Sequence, residues 1–347
     1  MMTFPLVSVV VVNYKNHPFL NRCLSSLEKQ DYPNIEIILV DNGSRENFFE
    51  SLDCDISKLK VIHLPVNAGF AGGNNKGILT AKGKYIALLN DDAEASEDWI
   101  SCLVEAAEND SSVGAVGCVI YDHHCYPLLD SFGVGIALDG MSRQLLKGRT
   151  RPDLTQPKEA LIFSGCGCLL RKSALEETGL FDEDFFAYCE DTDLSLRIRR
   201  AGWKIILSPK AQIVHFYSMT TGRFTLRKIF WVERNHYWVA IKNFPLLLLI
   251  FLPFFTLYRY FIQSILLLGQ DVEMRGYNEN SWLSILKTNL LALWSMLLSI
   301  PSTISKRYRI QKTSRISESD FLREIWKNRM SLREIITGKS RDYASHD

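Results

Sequence analysis

The sequence has no excess of charge of either sign. Its 347 residues include 40 Lys and Arg against 39 Asp and Glu, a formal net charge of +1. Proteins that hold nucleic acid through bulk charge are strongly basic, so this balance argues against that class. Internal repeats and low-complexity tracts are lacking too, and the length allows two domains or one large domain with an appendage. Any charged ligand must therefore be bound by a local group of charged residues rather than by the net charge of the protein.

The eight cysteines form no CxxC pair and no regular framework. Secreted disulfide scaffolds and zinc sites have such spacings, and a zinc ion at Cys166 and Cys168 would need two further ligands that the sequence does not offer. The opening residues, MMTFPLVSVV, carry no secretion signal pattern. We therefore expect reduced thiols in the cytosol.

Apolar, β-branched runs alternate with helical patterns over the first 120 residues, which predicts βαβ units and a largely parallel sheet. Residues 121–157 have no clean period and predict an irregular insert or hairpin. The predicted strands are Val7–Val12, Ile35–Val40, Lys60–Leu64, Tyr85–Leu89, Val113–Ile120, Ala160–Leu170, Lys204–Leu207 and Ala211–His215. The predicted helices are Phe19–Gln30, Gly73–Ala81, Asp98–Glu108 and Asp191–Ala201.

The composition changes after Pro245, where two apolar stretches near bilayer-spanning length begin, at 246–268 and 282–300. Basic residues flank the pair, whereas 271–280 carries three acids and one arginine. Three alternatives stay open: a hairpin with both ends cytoplasmic, a pair of helices lying in the membrane interface, or a soluble helical lobe. Neither stretch is clean, because polar residues or proline interrupt both: Pro253, Arg259, Gln263, Lys287 and Asn289.

Acidic residues concentrate in two places. Between Phe181 and Trp203, six carboxylates precede an arginine-bearing helix, and such a cluster needs a cation, a role as a base, or both. In ALLNDDAE, Asp91 and Asp92 end an apolar strand, where α/β sheets bind ligands. A divalent ion held by carboxylates and substrate phosphates would compensate that pair, and His215, which closes a later strand, offers a nitrogen ligand.

Six segments follow the order and spacing found in family 2 glycosyltransferases of the GT-A type: VSVVVVNYKN, EIILVDNGS, NAGFAGGNNKG, ALLNDDAE, GCGCLLRK and FAYCEDTDLSLRIRRAGW. The resemblance covers about residues 5 to 245 and is greatest to the rhamnosyltransferase-like branch that builds bacterial surface polysaccharides. It implies an α/β fold of the GT-A type, with a mostly parallel Rossmann-like sheet flanked by helices.

The resemblance also implies a division of the chain. Residues 1–222 would form the catalytic domain and 223–245 a basic connecting helix. A hydrophobic, membrane-associating helical pair would occupy 246–305, and 306–347 would be a charged tail that is helical in part. Arg223, Arg227 and Lys228 would then either steer phosphate or face the membrane.

The donor-binding roles that the resemblance implies fall on seven residues. Tyr14 would lie beside the nucleotide base, and Asp41 would accept a hydrogen bond from a uracil or thymine imide. Asn74 stands where relatives often have an arginine near the diphosphate. Asn90 and Asp91 would lie near the ribose, while Asp92 and His215, followed by Ser218 and a pair of threonines, would complete a site for Mg²⁺ or Mn²⁺.

The same segments have structural interpretations. Asp41 before Asn-Gly suits an Asx turn, and Asp91 and Asp92 suit a helix N-cap. The glycines of NAGFAGGNNKG would let backbone approach a ligand or merely form a connecting turn. A histidine such as His215, at the end of a strand, is often structural.

The catalytic base implied by the resemblance is Asp191, with Glu190 supporting or orienting it at a helix N-terminus. The expected activity is inverting transfer of a sugar from a nucleotide-diphospho-sugar, with dTDP-rhamnose as the first choice. The expected acceptor is a lipid-linked glycan at the cytoplasmic membrane face; no nucleic-acid partner is expected, and the oligomeric state stays open. Two alternatives remain: a sugar nucleotidyltransferase, for which only Lys15 offers a basic residue near the first strand, and a non-catalytic membrane scaffold.

Overall fold

The computed structural model describes residues 4–15, 19–44, 52, 59–216, 225–268 and 281–337, and its centre is a ten-stranded mixed sheet. The strands are β1 Val7–Asn13, β2 Ile35–Asn42, β3 Leu59–Leu64, β4 Tyr85–Leu89, β5 Ala93–Ala95, β6 Val113–Asp122, β7 Leu129–Ser131, β8 Val134–Ile136, β9 Ser142–Gln144, β10 Lys158–Ala160, β11 Gly167–Arg171 and β12 Lys204–His215. The helices are α1 Leu20–Glu28, α2 Gly69–Thr80, α3 Trp99–Glu108, α4 Lys172–Thr178, α5 Glu190–Arg200, α6 Leu226–Asn243, α7 Leu246–Leu268, α8 Trp282–Thr313, α9 Glu318–Lys327 and α10 Leu332–Thr337.

The main sheet has the order β10-β12-β6-β11-β4-β1-β2-β3. Strands β3, β2, β1 and β4 are mutually parallel, and β11 lies antiparallel between β4 and β6. The run VSVVVVN forms β1 because a strand covered on both faces favours continuous β-branched residues. The predicted α/β fold with a mostly parallel sheet is confirmed.

Both faces of the sheet carry apolar cores. On one face, α1 and α3 bury residues such as Leu24 and Trp99 against the sheet. On the other, α2, α4 and α5 bury Ile78, Leu175 and Leu194. A third core joins α6, α7, α8 and α9 to the β8 region. The carboxyl ends of the parallel strands β1, β2 and β4 are thereby held at one edge, where polar side chains gather.

Three predicted boundaries need correction. The strand predicted over 160–170 is two strands, β10 and β11, because 161–166 leaves the sheet to approach α5. The strands predicted at 204–207 and 211–215 are one strand, β12, with a register shift between Ser208 and Gln212. Helix α2 starts at Gly69 rather than Gly73, since the Asn42 side chain already binds the segment that precedes it. The insert 121–157 contains β7 and the antiparallel pair β8 and β9, as a hairpin prediction requires.

Two helices, α7 and α8, are long and apolar enough to cross a membrane by length and composition. Helix α8 continues to Thr313, so the predicted boundary at 305 lies inside one helix. Residues 271–280, whose acids entered the topology prediction, lie outside the described residues.

Candidate active site

Asp92 and His215 meet because of strand register. Asn90, Asp91 and Asp92 form a turn between β4 and β5, so the alternative that Asp91 and Asp92 cap a helix is wrong. Strand β5 pairs antiparallel with β12 and sets Ala93 opposite His215. The Phe216 amide donates to the Asp92 carbonyl at 2.8 Å, and His215 Nε2 lies 3.2 Å from Asp92 Oδ1.

The other ring nitrogen of His215 faces Asp130, a residue that the sequence did not single out. His215 Nδ1 lies 3.0 Å from Asp130 Oδ2, and Lys147 Nζ lies 2.5 Å from Asp130 Oδ1. Burial alone would raise the pKa of Asp130, but His215 and Lys147 outweigh it and hold that pKa at about 2. A carboxylate on the far nitrogen fixes the ring orientation and is what metal-ligating histidines usually have.

Burial opposes protonation of His215, but Cys166, Asp130 and Asp92 together raise its pKa well above the ordinary value. Burial and the charge of Asp92 raise the pKa of Asp91, against the hydrogen bond from the Tyr14 amide. The Asp91 and Asp92 pair thus sits where positive charge would be stabilising.

These residues fit a divalent ion that takes part of its coordination from a substrate. Among the described residues, no group of three or more His, Cys, Asp and Glu is arranged to hold a metal alone. Two ligands at about 2.1 Å and a right angle lie about 3 Å apart, and Asp92 Oδ1 and His215 Nε2 lie 3.2 Å apart. Mg²⁺ commonly binds through one or two protein groups together with phosphate and water.

The predicted nucleotide residues occupy the ends of β1 and β2, where Asn13 is in register with Asp41. Asp41 Oδ1 accepts the Ser44 amide at 3.0 Å, so the turn expected for Asn-Gly is present. Asp41 Oδ2 lies 3.1 Å from His63 Nδ1, and His63 is largely exposed. The Lys15 amide donates to Ser44 Oγ at 3.1 Å, so the two strand ends form one surface next to Tyr14. His63 was not predicted, since nothing in its sequence surroundings distinguishes it.

The glycine-rich motif works differently from the expectation. A Cβ at Gly73 would lie 2.6 Å from Val12 Cγ1, and one at Gly77 would lie 2.3 Å from Val10 Cγ1. These two glycines therefore let α2 pack closely on β1 rather than admit a ligand. Asn74 is buried and donates to the Phe70 carbonyl at 3.0 Å, within its own helix. Its contact with a diphosphate stays a prediction.

Gly69 is required where the start of α2 approaches the loop before α5. It has φ +74°, and a Cβ there would lie 2.3 Å from the Phe186 carbonyl oxygen. The Ala71 amide donates to that carbonyl at 3.2 Å. The start of α2 thus contacts the loop that leads to α5.

Four of the six carboxylates between Phe181 and Trp203 have structural partners. Asp182 pairs with Lys242 and Lys306, and Asp184 pairs with Lys306. Glu183 accepts a hydrogen bond from Asn75, while the buried Asp193 pairs with Arg197 and Lys242. The cations that this cluster requires are therefore lysine and arginine side chains. Among the described residues, Glu190 and Asp191 pair with no lysine or arginine and accept no side-chain amide.

The loop before α5 is held in an unusual backbone conformation. Phe186, Tyr188 and Cys189 have φ of 63°, 71° and 67°, values that side chains other than glycine rarely adopt. The buried Asn235 of α6 stabilises this path, because its Nδ2 lies 3.0, 3.0 and 2.8 Å from the carbonyl oxygens of Phe185, Ala187 and Tyr188. No sequence motif pointed to Asn235.

Glu190 and Asp191 occupy the first turn of α5 in different surroundings. Asp191 is partly exposed; its Oδ2 accepts the Gly165 amide at 3.1 Å and its Oδ1 accepts the Thr192 amide at 2.7 Å. Glu190 is buried, and its Oε2 has no hydrogen-bond partner within the described structure. Burial raises the pKa of both carboxyls, and the charge of Asp191 raises that of Glu190 further. Asp191 is thus the more accessible of the two.

The segment Ser164–Gly167 connects the two halves of the site. The Gly165 amide donates to Asp191. The Cys166 side chain contacts His215, and the Cys166 carbonyl accepts the Asn90 amide at 3.0 Å. The GCG sequence therefore lies between the carboxylate of α5 and the pair formed by Asp92 and His215.

A partly exposed aromatic cluster borders the α5 loop. The Phe186 and Trp231 rings have centroids 5.0 Å apart, and Tyr188 lies 6.3 Å from Trp231. Arg227 lies over Trp231 and Lys228 over Tyr188, each 5.1 Å from the ring centroid. Ser218, Thr220, Thr221 and Arg223 lie outside the described residues.

The model for glycosyl transferase family 2 matches residues 8–179, a span that includes Tyr14, Asp41 and the turn at Asp91 and Asp92. This chain contains a glycosyl transferase family 2 domain. The expected family is confirmed. The site described above is thus the candidate active site of a glycosyltransferase.

Relatives of this glycosyltransferase include N-acetylglucosaminyl-diphospho-decaprenol L-rhamnosyltransferase of Mycobacterium tuberculosis, 27% identical over 240 residues that cover 63% of this chain and 78% of the relative. The O-antigen biosynthesis protein RfbC of Myxococcus xanthus is 27% identical over 261 residues, covering 70% of this chain and 20% of the relative. These names agree with the rhamnosyltransferase-like branch of the family.

A mannosyltransferase of Pyrobaculum calidifontis, solved with GDP-Man and Mn²⁺, has a TM-score of 0.54 at 16% identity, and the match covers 94% of this chain and 88% of that one. GalNAc-T7, solved with UDP, GalNAc and Mn²⁺, has a TM-score of 0.55 at 19% identity over 70% of this chain, which spans 48% of that structure. At such identities the likeness concerns the fold alone, and it confirms the expected GT-A type.

Proposed function

We propose that this family 2 glycosyltransferase transfers a sugar, with inversion, from a nucleotide-diphospho-sugar to a hydroxyl group of a lipid-linked glycan. The observation that carries the proposal is the arrangement around Ser164–Gly167. An accessible carboxylate, Asp191, lies on one side of this segment, and the carboxylate and imidazole pair of Asp92 and His215 lies on the other. Single displacement needs a base and a diphosphate site that face the same sugar.

Asp191 is the proposed base. Its carboxylate is held in place by the Gly165 and Thr192 amides, so its orientation is fixed before an acceptor binds. Each oxygen retains a lone pair, and one of them accepts the proton of the acceptor hydroxyl as the new glycosidic bond forms. Glu190, being buried, supports the turn rather than reaching the acceptor.

The donor would bind across the ends of β1, β2 and β4. Tyr14 and Asp41 would contact the base and Asn90 and Asp91 the ribose, while Asn74 borders the diphosphate. Asp92 and His215 would hold Mg²⁺ or Mn²⁺, which neutralises the departing nucleoside diphosphate when bound. Asp130 fixes the imidazole so that Nε2 faces Asp92.

The acceptor would bind on the outer side of the α5 loop. Sugar rings present apolar faces that pack on aromatic side chains, and Phe186, Tyr188 and Trp231 offer such a surface. Arg227 and Lys228 supply positive charge at its edge, which suits an acceptor attached through phosphate. The M. tuberculosis relative is named for a diphospho-decaprenol substrate and for rhamnose, which supports a lipid-linked acceptor and rhamnose as the sugar. We place the acceptor at the cytoplasmic membrane face and take dTDP-rhamnose as the first choice of donor.

The test is calorimetric binding of dTDP-rhamnose and of UDP- and GDP-sugars to the full chain, with Mn²⁺ and with chelator. We expect one donor to bind only with metal, and Asp92→Ala to abolish this metal-dependent binding. Asp98→Ala is the matched control, because Asp98 is exposed at the start of α3. Equal binding of the donor with metal and with chelator would overturn the metal assignment, and no binding of any nucleotide sugar would overturn the donor class.

A further inference from the structure

Helix α7 buries Leu248, Leu252, Thr256 and Arg259 and exposes a broad face of large apolar side chains. The buried residues recur at helical spacing, and the last two, Thr256 and Arg259, are polar. The outward face consists of large apolar side chains, which are Leu246, Leu247, Ile250, Phe251, Phe254, Leu257, Tyr258, Phe261 and Ile265. A helix on a water-soluble surface has the opposite pattern. The outside of α7 is therefore built for an apolar medium.

Arg259 fixes the middle of α7 to the catalytic domain. Its Nε donates to Asp139 Oδ2 at 2.6 Å, and its two terminal nitrogens donate to the Glu233 carboxylate at 2.9 Å each. Asp139 lies in the turn between β8 and β9, and Glu233 lies in α6. The Tyr260 hydroxyl donates to Glu233 as well, at 2.9 Å. This contact is a bidentate buried ion pair, which requires close and defined geometry.

Helix α8 repeats the pattern. Its buried residues are Thr288, Ala292, Met296, Thr303 and Ile310, of which three are small or polar. Trp238 of α6 donates to Ser299 Oγ at 2.6 Å, and Arg307 donates to the Phe244 carbonyl at 2.7 Å, so α8 lies along α6. Its exposed large apolar side chains are Trp282, Leu283, Leu286, Leu290, Leu291, Leu293, Trp294, Leu297, Leu298, Ile304 and Tyr308.

The contacts of Arg259 are incompatible with a membrane-spanning α7. A bilayer has a hydrocarbon core about 30 Å thick, which a helix of about 20 residues just crosses. A spanning α7 would place Arg259, about 14 Å from the end of the apolar stretch at Leu268, in that core. Because Arg259 binds Asp139, the turn between β8 and β9 would enter the hydrocarbon core with it. Irregular backbone that faces lipid is not tolerated there.

We propose that α7 and α8 lie in the interfacial region of an anionic lipid bilayer, with their outward faces against the acyl chains and without crossing it. Charge favours this partner over another protein surface, since neither helix contains Asp or Glu and α8 exposes Lys287, Arg309 and Lys312. Exposed Trp282, Trp294, Tyr258 and Tyr308 are the residue types that settle at headgroup depth. The inference rests on this packing and not on the sugar transferred.

Depth-dependent tryptophan quenching tests the orientation. The full chain is added to vesicles of phosphatidylcholine and phosphatidylglycerol that carry bromine at shallow or deep acyl positions. Trp282→Phe and Trp294→Phe assign the quenching to each residue by difference. Interfacial helices place both residues at similar shallow depth. A spanning α8 would separate them by about 18 Å along its axis and bury Trp294 near the bilayer centre. Preferential quenching of Trp294 by the deep bromines would overturn the proposal.

Vesicle flotation tests the surface itself. Leu290→Glu with Leu297→Glu should reduce partitioning at least about tenfold, because two charges would enter the acyl boundary. The control is Leu79→Glu, at an equally exposed apolar residue on α2. Unchanged flotation of the double variant would contradict a lipid partner. So would a wild-type protein that is dimeric without vesicles and a double variant that is monomeric. Donor calorimetry on the same proteins separates this outcome from a failure of the proposed function, since neither leucine lies near the donor site.

Discussion

At the scale of single residues, Glu190 and Asp191 show how neighbours of the same chemistry take different roles. Both follow the strained loop and both begin α5, yet only Asp191 is partly exposed and bound by two backbone amides. Environments that differ in this way separate the acid and base properties of paired carboxyls. The sequence favoured Asp191 by position alone, and the structure adds a physical reason for the same choice, which stays a prediction until it is tested.

Asp191→Asn should remove transfer and leave donor binding near normal. The amide keeps the shape, and its single oxygen can still accept either the Gly165 or the Thr192 amide, but it takes no proton. A positioned general base contributes about 10²- to 10⁴-fold. The measurement is kcat together with the calorimetric dissociation constant of the donor. Transfer by Asp191→Asn at the wild-type rate would show that another group is the base.

The pH dependence of kcat gives a second check on Asp191. Burial raises the pKa of this carboxyl above its ordinary value. A base works only when deprotonated, so kcat should fall as the pH drops through that raised pKa, at higher pH than for an exposed aspartate. An acid limb at or below the ordinary carboxylate range would contradict the assignment.

Asn235→Ala should lower kcat through the loop that it holds. Without the amide, the carbonyls of Phe185, Ala187 and Tyr188 lose their shared donor, and the positive φ angles before Glu190 lose support. We expect kcat to fall at least about tenfold, a loss of about 1.4 kcal/mol in transition-state stabilisation, with donor affinity unchanged.

Asn328→Ala is the control for Asn235, because Asn328 is exposed and its side chain donates to the carbonyl of Glu324 in α9. A fall in donor affinity that matches the fall in kcat would indicate general loss of structure rather than positioning. Unchanged kcat in Asn235→Ala would show that the loop keeps its conformation unaided.

At the scale of elements, the ion pair of α7 decides where that helix lies. Arg259→Met would leave Glu233 and Asp139 buried without their cation, and breaking a buried pair in this way costs about 3 to 5 kcal/mol. The free energy of unfolding, measured by urea titration in detergent, should fall by that amount. Arg309→Met, at an exposed position on α8, should change it by less than about 0.5 kcal/mol.

A second variant separates charge from packing. Arg259→Met combined with Glu233→Gln should recover part of the loss, since one of the two unpaired carboxylates is then neutral. Equal stability of wild type and Arg259→Met would mean that the pair does not hold α7 against the catalytic domain.

At the scale of the whole molecule, Asp182 links the catalytic domain to two C-terminal helices through Lys242 of α6 and Lys306 of α8. Burial would raise its pKa, but the two lysines outweigh this and lower it to about 2. A lowered carboxyl pKa contributes stability that is complete above the unfolded value, about 3.9, and is lost as pH falls toward the folded value.

Asp182→Asn should therefore reduce the free energy of unfolding by about 2 kcal/mol at pH 7. The difference from wild type should narrow as the pH falls from about 4 toward about 2, because the unfolded wild-type chain then binds a proton at Asp182 before the folded protein does. Urea titrations across this range measure it, with the exposed Asp153→Asn as the control. A difference that does not change with pH would show that the ion pairs are not its cause.

Local pattern was enough to predict most elements and the edge of the sheet that carries the site. Continuous β-branched runs specify buried strands wherever they occur, and Asp41, Asp91 and Asp92 follow such runs directly. Where the local pattern predicted a boundary wrongly, a contact with a residue distant in the sequence set that boundary. Helix α2 starts four residues before its predicted start because Asn42, at the end of β2, binds the loop that precedes the helix.

The sequence by itself determined the family, the α/β fold and the order of the polar residues, because periodicity and motif spacing are local properties of the chain. Only the tertiary structure decided which of those residues meet. Asp130 and Cys166 contact His215 through the registers of β7, β11 and β12, Lys242 and Lys306 neutralise the acids before α5, and Asp139 and Glu233 bury Arg259. Such partners are 26 to 124 residues apart in the chain, and pairing across such separations depends on packing that no local pattern records.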